Sequence, residues 1–159
     1  MDEEKTLEKA TSLALRYLSY RPRCEFEVRG RLRRRYDEQV AESVIERLKE
    51  QGLLDDRAFA HDWSQGRVSS RPRSAALIRR ELLDKGVDRE TVQATVETLD
   101  DEESAYNAGL RAAASLADAD YTTFRRRMWG YLHRRGFGQS IIRRTVGRLW
   151  EERGELDGR

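Results

Sequence analysis

The sequence contains few of the residues that crosslink or stiffen a chain: one cysteine, two prolines and two histidines. A single cysteine excludes an internal disulfide and is ordinary in a reducing cytosol. No stretch approaches the roughly 20 apolar residues that a membrane span needs, and the N-terminal MDEEKTLEKA has no apolar signal region. We therefore expect a soluble, cytoplasmic protein.

The sequence also lacks the usual motifs of catalysis and of metal or nucleotide binding. His61 and His133 belong to no HExxH motif, and no CxxC, GxxxxGK[ST] or GxGxxG pattern occurs. Cys24 falls in an apolar series, which favours a small buried residue over a nucleophile. The adjacent Asp55 and Asp56 are explained by helix capping. We predict no enzyme activity, no metal site and no cofactor.

Both prolines lie in the same short motif, RPR, at 21–23 and 71–73, fifty residues apart. This is either chance or one copied unit. The apolar positions that follow recur at the same period, which favours a copied unit, and their i, i+4 spacing places each pair on one helix face. These pairs are Val28 and Leu32, Ile78 and Leu82, and Met128 and Leu132; Cys24, Ser74 and Phe124 precede them.

A second amphipathic helix follows each of these pairs. Gly86 and Gly136 fall where the preceding helix would stop; the first unit lacks this glycine and aligns at a shift of 51 residues. Asp37 and Asp88 are suited to cap the next helix. The buried positions are predicted at i, i+3, i+4 and i+7: Ala41, Val44, Ile45 and Leu48; Val92, Thr95, Val96 and Leu99; Ile142, Thr145, Val146 and Leu149.

A third helix is predicted upstream of each RPR position, with Asp55, Asp56, Asp100 and Asp101 as cap and first-turn acids of the second and third copies. Its apolar positions are Leu7, Ala10, Ala14 and Leu18; Phe59, Ala60 and Trp63; Tyr106, Leu110, Ala113 and Ala117.

These patterns predict an all-α protein of three tandem three-helix repeats of about fifty residues, forming an elongated, curved molecule. The predicted boundaries are 1–53, 54–100 and 101–152, with a C-terminal tail at 153–159.

Basic residues concentrate on the second and third helices of each repeat. The net charge is only +2, but residues 121–150 carry no acid. The arginines then form a basic strip for a polyanion or an acidic protein, or pair with acids on neighbouring helices, or reflect coding bias. Phe124 and Phe137 are expected in the core and Trp129 at the surface. The candidate contacts are Arg29, Arg33, Arg34, Arg79, Arg80, Arg125, Arg126, Arg134, Arg135, Arg143, Arg144 and Trp129.

The sequence resembles the bacterial regulatory protein RecX family over roughly residues 10–152. The most specific likeness is GLLDD at 52–56, followed by Phe59 and Ala60 and by LIRRELLDKGVD at 77–88. ALRYLSYRPRCEFEVRGRL at 14–32 resembles the opening helices of the family, and HRRGF at 133–137 fits more loosely.

The resemblance implies three tandem three-helix repeats and a non-enzymatic modulator of the RecA recombinase. Such proteins bind the RecA–single-stranded DNA filament and mainly inhibit its recombinase, ATPase and LexA coprotease activities. The implied partners are the filament and single-stranded DNA, with a monomeric protein. Two other hypotheses remain: a direct DNA-binding protein of the helix-turn-helix kind, and a helical-repeat scaffold whose arginines only solvate its surface.

Overall fold

The computed structural model describes residues 2–157, without the side chains of the last two, and this part of the chain is helical with no strand. A short 3-10 helix, Ala114–Leu116, follows the seventh α-helix. The α-helices are α1 (Asp2–Tyr20), α2 (Glu25–Arg33), α3 (Glu38–Glu50), α4 (Asp56–Ser70), α5 (Ala75–Asp84), α6 (Arg89–Val96), α7 (Asp101–Ala113), α8 (Tyr121–Arg134) and α9 (Gln139–Asp157).

The chain divides into two compact units. One contains the residues through Trp63 together with Glu81–Thr95, and the other contains Ser64–Arg80 together with the chain from Val96 onward. Because the division passes through α4 and α5, the middle three helices contribute to both units. The predicted repeat boundaries stay a prediction, and α9 continues as helix into the segment assigned to the tail.

The predicted core positions of the second helix in each repeat are confirmed. Every member of the period-fifty series is buried: Cys24, Val28 and Leu32; Ser74, Ile78 and Leu82; Phe124, Met128 and Leu132. In the third helices, the predicted sets of α3 and α9 are buried throughout. In the second repeat only Val92 is fully buried; Thr95 and Val96 are half-buried, and the half-buried Leu99 lies beyond the end of α6.

The predicted register of α7 is wrong. Leu110 is 46% exposed, and Ala117 is exposed; the helix buries Ser104, Ala105, Ala108 and Gly109 instead. The face is made of small residues because α9 approaches closely there: a Cβ on Gly109 would lie 2.5 Å from a methyl group of Leu149.

The register of α7 follows the Asp55–Asp56 and Asp100–Asp101 pairs, which are 45 residues apart rather than 50. Asp55 and Asp100 cap their own helices, by accepting hydrogen bonds from the backbone N–H groups of the first turn. Counting from these caps aligns Ala60 with Ala105 and Ser64 with Gly109, all of which are buried.

The second aspartate of each pair acts on an earlier repeat. The Asp56 carboxylate accepts a 2.8 Å hydrogen bond from the N–H of Glu25, the first residue of α2. Asp101 accepts one of the same length from the N–H of Ala75, the first residue of α5. Burial raises the pKa of both carboxyls. Each aspartate therefore satisfies a backbone donor that the earlier helix leaves without a partner.

The predicted helix-stop glycines are confirmed. Gly86 and Gly136 both have φ of 89°, in the left-handed region. A side chain on Gly86 would collide with Phe26 of the preceding repeat, and one on Gly136 would collide with Ser74. In the turn of the first repeat, which has no glycine, the N–H of Tyr36 bonds directly to the carbonyl of Leu32. The turn of the first repeat is thus one residue shorter than the later turns, which accounts for the alignment shift of 51 residues.

No helix in the described part of the chain is both long and apolar enough to cross a membrane.

Candidate anion-binding interface

The candidate arginines of the first repeat are largely engaged by acids. The Arg29 guanidinium donates to Glu25 at 2.9 Å and to Glu42 at 3.2 Å. These carboxylates, Glu42 first, raise the pKa of Arg29 further above its ordinary range. Arg33 pairs with Glu38 at 3.3 Å. Arg34 is exposed and has no side-chain partner among the described residues. Arg29 therefore stabilises the packing of α2 on α3.

The candidate arginines of the second repeat are free to bind a partner. Arg79 and Arg80 are both exposed on α5, and within residues 2–157 neither makes an ion pair, hydrogen bond or ring contact. Arg79 occupies the repeat position of Arg29, but the counterparts of Glu25 and Glu42 are Ala75 and Gln93. Without a facing acid, the Arg79 guanidinium remains in solvent.

A groove between α7 and α8 brings together three further arginines. Its volume is about 320 Å³. Arg126 and Arg127 lie towards the start of α8 and Arg134 at its end, and all three are exposed. None of them forms an ion pair in the described chain, although hydrogen bonds from Thr123 and the nearby charge of Arg126 lower the pKa of Asp120. The remaining lining residues are Ala112, Ser115, Leu116, Gly130 and Tyr131.

Two other candidate arginines, Arg125 on α8 and Arg135 directly after it, stack on aromatic rings. The Arg125 guanidinium lies 5.5 Å from the centre of the Trp129 ring, and that of Arg135 lies 3.6 Å from the centre of the Tyr131 ring. Such stacking retains the positive charge while fixing its place. Trp129, expected at the surface, is half-buried against the core of the third repeat; Phe124 and Phe137 are buried as expected.

The candidates on α9 differ from each other. Arg143 is exposed without a partner in the described chain, whereas Arg144 pairs with Glu102 of α7. Arg148, the next arginine on this helix, pairs with Glu152 at 2.9 Å. Some arginines of the acid-free stretch at 121–150 therefore pair with acids that lie outside it. Only part of the positive charge of this stretch is available to a binding partner.

Arg127 lines the groove but was not among the candidate residues predicted from the sequence. Its signal is the i, i+4, i+7 spacing of Arg127, Tyr131 and Arg134, which places the three on one helix face. Among the described residues, no group of three or more His, Cys, Asp or Glu side chains is placed to hold a metal ion.

Family models match the chain in three consecutive segments. They are described as the first, second and third three-helix domains of RecX and cover residues 10–48, 55–96 and 100–146. The chain belongs to the RecX family. The family thus has the all-α, three-repeat organisation that the sequence pattern predicts.

Relatives named Regulatory protein RecX align over most of their length. The Chlorobium limicola protein is 32% identical over 144 residues, covering 90% of this chain and 91% of the relative. The Mycobacterium tuberculosis protein is 34% identical over 147 residues, covering 87% and 84% respectively. A regulatory role follows for this chain as a RecX family member.

The solved RecX structure from Lactobacillus salivarius has the same fold. It superimposes with a TM-score of 0.79, covering 92% of this chain and 97% of that one, at 21% identity. A second RecX crystal structure gives a TM-score of 0.72, covering 89% of this chain and 72% of that one, at 22% identity.

Proposed function

We propose that this protein binds the RecA–single-stranded DNA filament and inhibits its recombinase, ATPase and LexA coprotease activities, acting as a binding protein rather than an enzyme. Membership of the RecX family of regulatory proteins supports this role. The partner is a polyanion wrapped in protein, so the protein that binds it needs basic groups not already neutralised internally.

The observation that carries the proposal is the set of arginines without acidic partners. Arg79, Arg80 and the groove arginines (Arg126, Arg127 and Arg134) are exposed on consecutive repeats and form no ion pair within the described chain. Holding unpaired positive charges close together costs stability through their mutual repulsion. A bound anionic partner offsets that repulsion. A face that contacts only solvent has no need of such unpaired charges.

The proposal is tested by adding the protein to preassembled RecA filaments on single-stranded DNA. ATP hydrolysis, strand exchange and LexA cleavage should all fall at stoichiometric amounts. The variant Arg79→Glu/Arg80→Glu should need at least about tenfold more protein for the same inhibition, since each lost contact to a charged group is worth about 1.5–3 kcal/mol.

A matched control carries the same charge change elsewhere. Arg16 and Arg57 are exposed, have no side-chain partner in the described chain and are not among the candidates, so Arg16→Glu/Arg57→Glu should inhibit almost as well as the wild type. Equal loss in both variants would show that only net charge matters. No inhibition and no filament binding by the wild-type protein would refute the proposal.

The two other hypotheses predict different results. Tight, sequence-selective binding to duplex DNA without RecA would favour the helix-turn-helix hypothesis. Inhibition unchanged by reversing both arginines would favour a scaffold whose basic residues only solvate its surface.

A further inference from the structure

We propose that the groove between α7 and α8 binds the phosphodiester backbone of single-stranded DNA directly. The inference deepens the proposed function, on which it rests for the identity of the strand, by assigning the nucleic-acid contact to one site. The groove arginines, Arg126, Arg127 and Arg134, provide three guanidinium groups around one recess. Guanidinium matches the paired oxygens of a phosphate with two parallel hydrogen bonds.

The three arginines are carried by successive turns of α8. Arg134 follows Arg126 and Arg127 by seven to eight residues, a rise of about 11 Å along an α-helix. Between them lies Gly130, which has no side chain to fill the recess. The Arg134 guanidinium turns back over this glycine, since a Cβ on Gly130 would lie 3.2 Å from one of its terminal nitrogens. The three positive charges therefore gather around one recess, an arrangement that fits a phosphate group of the strand.

The lining between the arginines suits the sugar and base of a nucleotide. Ala112 and Leu116 provide an apolar wall, and the half-buried Tyr131 offers an aromatic side chain on which a base can stack. Because Arg135 lies over the Tyr131 ring, the aromatic group is held in place before a ligand arrives. No acidic residue lines the groove.

The shape of the groove favours a strand over a folded partner. A recess of about 320 Å³ is at the small end of the range for ligand pockets. It admits a phosphate with part of its nucleotide. A folded acidic protein or a duplex is too large to enter a recess of this volume and would contact it from outside.

The test uses the full-length protein alone and a fluorescein-labelled thirty-residue oligothymidine, with binding followed by anisotropy over a range of salt concentrations. The groove variant is Arg126→Glu/Arg127→Glu/Arg134→Glu. We expect at least a tenfold weaker binding and a salt slope reduced by about 2, since each phosphate contact on a single strand contributes about 0.7. The control, Arg16→Glu/Arg57→Glu/Arg89→Glu, makes the same charge change at exposed arginines outside the groove and should weaken binding less than threefold.

Folding is checked by circular dichroism. A second groove variant with glutamine at the three positions removes the charges without adding repulsion, and it should lose the same salt slope. Equal losses in the groove and control variants, or an unchanged salt slope in either groove variant, would overturn the inference.

RecA assays on the same proteins keep this inference separate from the proposed function. DNA binding that depends on the groove, in a protein without effect on RecA, would support the groove assignment and refute the proposed function. Loss of RecA inhibition with intact oligothymidine binding would overturn the groove assignment, because the arginines would then contact acidic protein.

Discussion

Phe26 lies so close to Gly86 that a Cβ on this glycine would come within 2.3 Å of the Phe26 ring. The glycine also has a positive φ, so it is required on two counts: its backbone conformation and the packing of the preceding repeat. We expect Gly86→Ala to lower the free energy of unfolding by about 3 kcal/mol, the sum of a left-handed backbone penalty and overpacking.

Urea denaturation measures this loss, with Gly30→Ala as the control. Gly30 lies inside α2 with no atom within 4 Å of its added Cβ, so the control should gain up to about 1 kcal/mol in helix stability. Similar effects of the two substitutions would contradict the packing explanation.

Asp56 and Asp88 should give opposite pH dependences. Burial raises the pKa of Asp56, so the folded protein binds the carboxyl proton more tightly than the unfolded chain does. The contribution of Asp56 to the free energy of unfolding therefore increases as the pH falls through the folded pKa towards the ordinary value of 3.8. Hydrogen bonds from the backbone and side chain of Thr91 lower the pKa of Asp88. The contribution of Asp88 to the free energy of unfolding is fully present above its ordinary pKa of 3.8 and is lost as the pH falls through its lower, folded pKa.

The measurement compares Asp56→Asn and Asp88→Asn with the wild type between about pH 7 and about pH 3, a window that spans ordinary carboxyl pKa values. Relative to Asp56→Asn, the wild type should gain stability as pH falls; relative to Asp88→Asn, it should lose stability. A shift in the same direction for both would mean that burial does not govern Asp56.

Gly109 sets the distance between α7 and α9. The Leu149 methyl group that a Cβ on Gly109 would meet belongs to a side chain only 4% exposed, which cannot move aside into solvent. Gly109→Ala should therefore cost about 1–3 kcal/mol through overpacking. In a double-mutant cycle, Leu149→Val should reduce that cost. Strictly additive effects would show that the two side chains do not compete for space.

Cys24 should be unreactive in the folded protein. It is fully buried, and burial raises the pKa of its thiol to about 11, so little thiolate exists near neutral pH. We expect a disulfide reagent to modify the native protein at least about 100-fold more slowly than the urea-unfolded chain. Rapid modification without urea would show that the α2 terminus opens readily. Cys24→Ser should fold normally, since Ser74 holds the same repeat position.

The sequence predicted the local structure better than the contacts between repeats. The register of the second helix in each repeat followed from the period of fifty, because that register depends only on which side chains face the core. The α7 register was missed because its buried face consists of small residues, which give no apolar signal, while Leu110 gives a false one. The hydrogen bonds of Asp56 and Asp101 span 31 and 26 residues, and no periodicity predicts them.

The sequence predicted most of the candidate arginines, but not which of them are unpaired and lie together on one surface. Arg29 and Arg79 share a repeat position, yet only Arg29 is neutralised, because acids at two other positions face it. That difference is present in the sequence, but it becomes visible only when facing positions are compared between repeats.

The aspartates that complete an earlier helix make the array directional. The second and third repeats each provide an aspartate to the repeat before them, so during synthesis α2 and α5 emerge before the residues that complete them. The glycine turns of the second and third repeats contact the second helix of the repeat before them. Only the second repeat both provides and receives an aspartate, so it is the unit whose duplication would lengthen the protein with both contacts kept.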